Sequence, residues 1–229
     1  PALAAAVEEL QEIVQLMDTP VIYAHLLHAA KSDDPANGRL LSSVMEKSSA
    51  IRNHLVFFEL EWAALDEAIA LPLMGHADLA GYRHFLEKER RYRPHQLSEP
   101  EETVLERKAN TSGRAFSRLF DEVTGRMTCD VEHGGEIKRL NESETLALLY
   151  DPDRTMRQAA AEALTVSLKD HQHVLTYIFN VLVQDHKIND EIRAYGTPMA
   201  SRNLSNEIEQ STVDALVDSC EEFHPTVHR

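Results

Sequence analysis

Apolar positions recur along this chain at three- and four-residue steps, the spacing that places them on one face of a helix. Leu3, Val7, Leu10, Val14 and Met17 follow it, with Glu8, Glu9, Glu12 and Gln15 between them. Thr19-Pro20 has the form of an N-cap followed by proline in a first turn. The pattern therefore predicts one helix ending there and a second over residues 21–31, which Ser32-Asp33-Asp34-Pro35 then breaks. A longer stripe runs from Leu40, Leu41 and Val44 through Ile51, Leu55, Phe58, Trp62 and Leu65 to Ile69. It predicts one helix over 36–70, ended by Leu71-Pro72. Residues 76–93 read as another helix, closing on Lys88, Arg90, Arg91 and Arg93, where cations oppose the negative end of the helix dipole.

Ser98-Glu99-Pro100-Glu101 is a helix start with the spacing of a capping box. That helix carries Val104 and Leu105 and bends or restarts at Thr111-Ser112-Gly113, after which Phe116, Leu119, Phe120 and Val123 continue the apolar face. One stretch has the other period: Met127, Cys129 and Val131 alternate with Thr128, Asp130 and Glu132. His133-Gly134-Gly135 supplies a turn and residues 136–140 return, so a hairpin is expected, packed on helices because a lone hairpin is marginal. Asn141-Glu142-Ser143-Glu144 starts a short helix, and Asp151-Pro152 starts another with Asp151 as cap. Ala159, Ala163, Leu164, Leu168, Leu175, Ile178, Phe179, Leu182 and Val183 then mark a long buried face. Residues 194–206 read as a polar loop around Gly196 and Pro198, and Ser211 and Asp214 open a last helix. No repeat of fixed period is found. The fold class expected is mainly α, a multi-helix lobe with one small β-hairpin near 127–140. It divides into a helical region, 1–125, and a hairpin plus helical region, 126–229.

Composition narrows the function classes. Across 229 residues, 43% are hydrophobic and 27% charged, an ordinary globular balance with enough chain for a real core. The formal net charge of −15 repels phosphate backbones and anionic membrane surfaces, so neither nucleic acid nor membrane is an expected partner. No run of eighteen apolar residues exists to span a bilayer. Residues 1–6 are apolar but lack the basic flank of a signal peptide, and Cys129 and Cys220 are the only cysteines. Reduced thiols and a cytoplasmic location follow as expectations. The chain opens at Pro1 and stops at Val227-His228-Arg229, and both ends look cut.

Twelve histidines invite a search for metal ligands. A zinc protease helix needs two histidines four apart with a glutamate beside the first, so that one turn places both rings on one face. H-E-x-x-H does not occur here. His25 and His28 are three apart with no carboxylate nearby, His171 and His173 point to different faces, and Pro225 interrupts His224 and His228. Ser98, Ser112 and Ser201 sit in capping or turn contexts rather than in a nucleophile elbow, and neither cysteine has an evident base. Gly134-Gly135 is a turn, not a dinucleotide fingerprint. The basic run from Arg83 to Arg93 sets five cations against Glu87 and Glu89, and stabilising a helix C-terminus accounts for it. No catalytic residue and no metal ligand is assigned.

Several blocks nonetheless resemble one family. Leu86-Glu87-Lys88 through Arg93-Pro94-His95-Gln96-Leu97-Ser98-Glu99-Pro100-Glu101-Glu102 is similar to a segment of the oligoendopeptidase F family. So are Thr111-Ser112-Gly113-Arg114-Ala115-Phe116 with Leu119-Phe120-Asp121-Glu122, and Asp151-Pro152-Asp153-Arg154 with Arg157-Gln158-Ala159-Ala160. Pro198-Met199-Ala200-Ser201-Arg202-Asn203-Leu204-Ser205-Asn206-Glu207 matches most clearly, and Val227-His228-Arg229 resembles the start of a further block. Order and spacing agree over about residues 23–229. The resemblance implies a zinc-dependent cytosolic endopeptidase of the thimet-oligopeptidase-like group, mostly helical, with two lobes around a deep channel that admits short peptides. It places H-E-x-x-H and a further glutamate ligand in a C-terminal half. This chain then stands as the N-terminal, non-catalytic part, inactive alone, forming one wall of the channel and continuing toward its own C-terminal catalytic domain; the Zn2+ belongs to the parent and not to this part. Arg202 and Asn203, polar residues in an expected loop, are the only candidates for channel contact, and loop bracing is the plainer role for them. The alternative reading is a stand-alone helical scaffold or adaptor that binds a protein partner.

Overall fold

A computed structural model describes residues 2–31 and 34–227. Ser32 and Asp33 of the expected break, and His228 of the last histidine pair, lie outside them. The described residues form α-helices and one two-stranded antiparallel sheet, as the periodicity predicts. Two compact units are present. One comprises the start of the chain to Val7, Leu55–Glu102 and the segment from His186 onward; the other comprises Glu8–His54 and Thr103–Asp185.

Helix α1 runs unbroken over Ala2–Ala30, so the break expected at Thr19-Pro20 does not occur. A proline inside a helix removes one N–H and crowds the preceding turn. Here Val7, Met17, Ala24 and His28 are buried on both sides of Pro20, and tertiary packing outweighs the lost bond. Thr19 does not cap; its hydroxyl donates back to the Gln15 carbonyl at 2.9 Å. Helix α2, Pro35–Asn53, starts where Asp34 accepts from the Ala36 N–H at 2.8 Å. Asn37 Nδ2 donates to the Leu27 and Lys31 carbonyls, a side-chain tie from the first turn of α2 to the end of α1.

The single helix expected over 36–70 is in fact three. α2 ends at Asn53, α3 covers Val56–Ala64 and α4 covers Glu67–Met74, with Pro72 inside it rather than after it. The missed signal is Asp66, whose extended backbone and side-chain bond to the Ala68 N–H at 2.8 Å start a new helix. The helix expected over 76–93 also divides, into a 3-10 segment, Ala77–Tyr82, helix α5, Arg83–Arg91, and a 3-10 turn, Arg93–His95. These short pieces wrap one core of Val7, Trp62, Ala70, Met74, Leu79 and Leu86. Trp62 sits at its centre, its indole N–H donating to the Leu86 carbonyl at 2.8 Å. A buried indole stabilises most when its N–H finds such a partner.

Helix α6, Glu99–Ala109, and α7, Gly113–Arg126, divide at the expected Thr111-Ser112-Gly113. At the α6 start, Glu101 accepts from the Ser98 N–H at 2.9 Å, one half of the expected box. The hairpin forms as β1, Thr128–His133, and β2, Glu136–Asn141, with Cys129 facing Leu140 and Val131 facing Lys138. Its turn residues Gly134 and Gly135 have φ of +62° and +83°, a two-residue turn that glycine adopts without strain. Met127, Cys129 and Val131 are buried. Helix α8, Glu142–Leu148, starts on a complete capping box between Asn141 and Glu144.

Helix α9, Arg154–Asp170, is capped by Asp153, not Asp151; Asp151 instead accepts from the Asp153 N–H at 2.8 Å, one turn earlier. Helix α10, Gln172–Ile192, follows after His171. The long buried face expected across both is much narrower: Ala160 and Ile178 are buried, whereas Leu168, Phe179 and Val183 are exposed. The expected loop over 194–206 contains helix α11, Ala200–Asn206, and α12, Gln210–Val227, ends the described chain.

Candidate functional site

Arg202 and Asn203 lie on α11, so the loop expected to carry them is a helix. Arg202 is exposed. Asn203 is buried; its Nδ2 donates to Gln210 Oε1 at 2.7 Å, and its Oδ1 has no hydrogen-bond partner. Asn203 thus braces the junction of α11 with α12, and Arg202 alone of the two is free to meet a ligand.

The basic run is spent on structure rather than on a ligand. Glu207, in a left-handed turn at φ +55°, closes α11. It accepts from His84 Nε2 at 3.1 Å and from Arg91 at 3.2 Å, so α5 is tied to the end of α11. Arg90 donates to the Trp62 carbonyl at 3.0 Å and stands over its ring at 5.7 Å. Arg83 pairs with Glu87 one turn on, at 2.8 Å. Sequence reasoning placed these cations at a helix end but had no means of seeing Glu207, since the ties join positions more than a hundred residues apart.

Two carboxylates are held by arginine forks. Arg193 grips Glu102, and His95 lies against the same group, its Nδ1–H donating to the Arg193 carbonyl at 2.9 Å and its ring stacked on Tyr195 at 3.8 Å. Burial works to raise the Glu102 carboxyl, but the Arg193 fork and the Leu97 N–H outweigh it and hold Glu102 below the usual carboxylate range. The hydrogen bonds to Glu102 raise the Arg193 guanidinium in turn. In the other unit, Arg114 forks Glu106 at 2.9 Å through each nitrogen, and Ser49 donates to the same carboxylate at 2.8 Å. Burial again opposes, and the Arg114 and Ser49 bonds again prevail to keep Glu106 low. Carboxylates paired this way are fixed acceptors, not proton shuttles.

No group of three or more His, Cys, Asp or Glu among the described residues is arranged to hold a metal ion. His28 is buried on α1, its Nε2 lacking a hydrogen bond and standing 3.9 Å from a Glu122 oxygen, a single imidazole rather than a ligand set. Cys129 is buried in the hairpin and Cys220 is exposed on α12.

The fold is one that a solved oligoendopeptidase shares. It matches the crystal structure of oligoendopeptidase-F from Enterococcus faecium with a TM-score of 0.86 and 23% identity, over 98% of this chain and 45% of that one. A putative peptidase from Chlamydophila abortus matches with a TM-score of 0.67 and 19% identity, over 96% and 37%. In sequence, the family model described as Oligopeptidase F matches residues 61–128. The plasmid-borne oligoendopeptidase F of Lactococcus lactis subsp. cremoris is 21% identical over all of this chain and 38% of its own length. Group B oligopeptidase PepB of Streptococcus agalactiae is 25% identical over 76% of this chain and 29% of its own. The resemblance to the oligoendopeptidase F family, read from the sequence blocks, is shown by these matches. The chain spans well under half the length of the relatives it matches.

Proposed function

We propose that this chain is the N-terminal, non-catalytic part of a zinc-dependent oligoendopeptidase of the cytoplasm, and that it forms one wall of the channel through which short peptides reach a C-terminal catalytic domain. The observation that carries the reading is the coverage: 98% of the chain lies on a solved oligoendopeptidase while leaving more than half of that protein unmatched. Zinc fits the part of the enzyme that lies beyond these residues, where a metal would activate water for peptide hydrolysis. The residues here hold shape. The helices packed about Trp62 and the Arg193–Glu102 fork brace the first unit, the Arg114–Glu106 fork braces the second, and a narrow passage selects by size. A folded protein gives up its own stability, about 5–15 kcal/mol, to thread through it, and a short peptide does not.

The test compares this chain alone with the same chain extended through its downstream reading frame, on a short quenched fluorescent peptide and on a folded protein carrying the same cleavage sequence. The extended protein is expected to cut the peptide, to lose that activity with a chelator and recover it with Zn2+, and to spare the folded protein. Hydrolysis by this chain alone above a chelator-treated control overturns the division of labour.

A further inference from the structure

Strand β1 and helix α9 run past one another with an acidic groove of about 280 Å³ between them. His133 closes one end of the pair, its Nε2 lying 3.1 Å from Asp153 Oδ2 and 3.0 Å from Thr155 Oγ1 at the start of α9. The helix then leads back along the strand, so Glu132, Glu162 and Asp170 follow one another away from that tie. Small Ala159 and Ala163 leave room between them. Asp130, on the strand side, is forked by Arg139 at 2.8 and 3.0 Å, and Gln158 donates to Glu162 at 2.9 Å. Among the described residues, no Lys, Arg or His lines the groove, and Glu132, Glu162 and Asp170 form no ion pair.

Ser167, in the lining of the same groove, points to a ligand independently of the charges. It is 6% exposed, and its hydroxyl has no hydrogen-bond partner. A helical hydroxyl ordinarily turns back to the carbonyl four residues earlier, and on this helix Thr165 does so, to Ala161 at 2.7 Å. Ser167 makes no such bond to Ala163. A buried hydroxyl without a partner is costly. Beside carboxylates it is placed to accept from an N–H that they attract.

No three of these groups among the described residues are arranged to hold one metal ion. Glu162 and Asp170 stand about 12 Å apart along the helix, at 1.5 Å per residue. Charge spread over that distance is matched by a chain of cations and not by a single ion. We infer that the groove binds an extended organic cation, its ammonium or guanidinium groups distributed over Glu132, Glu162 and Asp170 and one N–H donated to Ser167 Oγ. Two sources carry this chemistry: a linear polyamine, and a short peptide rich in lysine or arginine.

The test titrates the purified chain calorimetrically with spermidine and, separately, with a blocked peptide of alternating lysine and glycine. Saturable binding of at least one is expected, and the tighter of the two names the source. Glu162→Gln with Asp170→Asn, both at exposed positions, should weaken it ~tenfold. Glu8→Gln with Glu12→Gln, exposed on α1, removes the same charge away from the groove and should change it less than ~twofold. Ser167→Ala should weaken binding ~threefold while leaving the melting temperature of the free chain unchanged or higher, since the lost hydroxyl has no partner. Loss of fold cannot produce that combination. A titration with no saturation up to millimolar ligand overturns the inference. So does equal weakening by the two carboxylate pairs, which marks general attraction to a chain of net charge −15.

Discussion

Arg193 closes a two-point fork on Glu102, Nη1 to Oε1 at 2.7 Å and Nη2 to Oε2 at 2.8 Å, across 91 residues of sequence. It joins the residue after α10 to the first turns of α6. The same guanidinium reaches the His95 carbonyl at 3.2 Å. Planar two-point pairing is what arginine does and lysine cannot. Arg193→Lys is therefore expected to destabilise the protein by about 2 kcal/mol, read as a lower urea midpoint at unchanged slope.

The pH dependence follows in sign from the depressed Glu102 and Glu106 carboxyls. A carboxyl held lower in the folded state than in the unfolded chain contributes its full stability above the ordinary glutamate range. That contribution is lost as pH falls through the folded value, because the unfolded chain binds the proton first. Stability measured from pH 7 to pH 3 should fall along an acid limb, and Glu102→Gln with Glu106→Gln should lower the neutral plateau and flatten that limb.

Trp62 offers a separate test of the first unit's core. Trp62→Phe keeps an aromatic ring but drops the indole bond to the Leu86 carbonyl, an expected cost of about 1–2 kcal/mol. Trp62→Ala also opens a cavity among Val7, Met74 and Leu86 and should cost about 3–5 kcal/mol. Thermal unfolding should rank the two in that order.

The hairpin turn should tolerate little at Gly135, whose φ is +83° with open space around it. Strain rather than collision then sets the cost, and Gly135→Val is expected to lose about 1–2 kcal/mol, while Gly134→Asn, a residue that accepts φ near +60°, should lose less. Chemical denaturation of the two variants checks the contrast.

Arg202 and Asn203 should separate cleanly in the extended enzyme. Arg202→Ala, at an exposed position, should leave the melting temperature within about 1 °C, as surface changes do, and raise KM for short peptides. Asn203→Ala removes the bond to Gln210 and should lower the melting temperature without a selective effect on KM.

Some of this protein was legible in its residues because the signals are local. The hairpin showed in the alternation of Met127, Cys129 and Val131 and in a two-glycine turn, and the α8 start showed in Asn141 and Glu144, since each needs only near neighbours. The resemblance to oligoendopeptidase F was legible for another reason: ordered blocks of identity survive where three-dimensional contacts are invisible. What the chain by itself determined, then, is a mostly helical class, one hairpin and a family resemblance. Tertiary structure decided the rest. Whether Pro20 ends a helix depends on burial at Met17 and Ala24 on either side of it; whether Asp66 caps depends on the turn that Trp62 and Ala70 need to reach one core. Whether Phe179 is inside or out, and whether Arg91 meets a ligand or Glu207, depends on what distant segments bring near. Periodicity reports that a face is apolar, and only packing selects which of two apolar faces is covered, because free energy is gained where surfaces meet and not where a pattern permits them to.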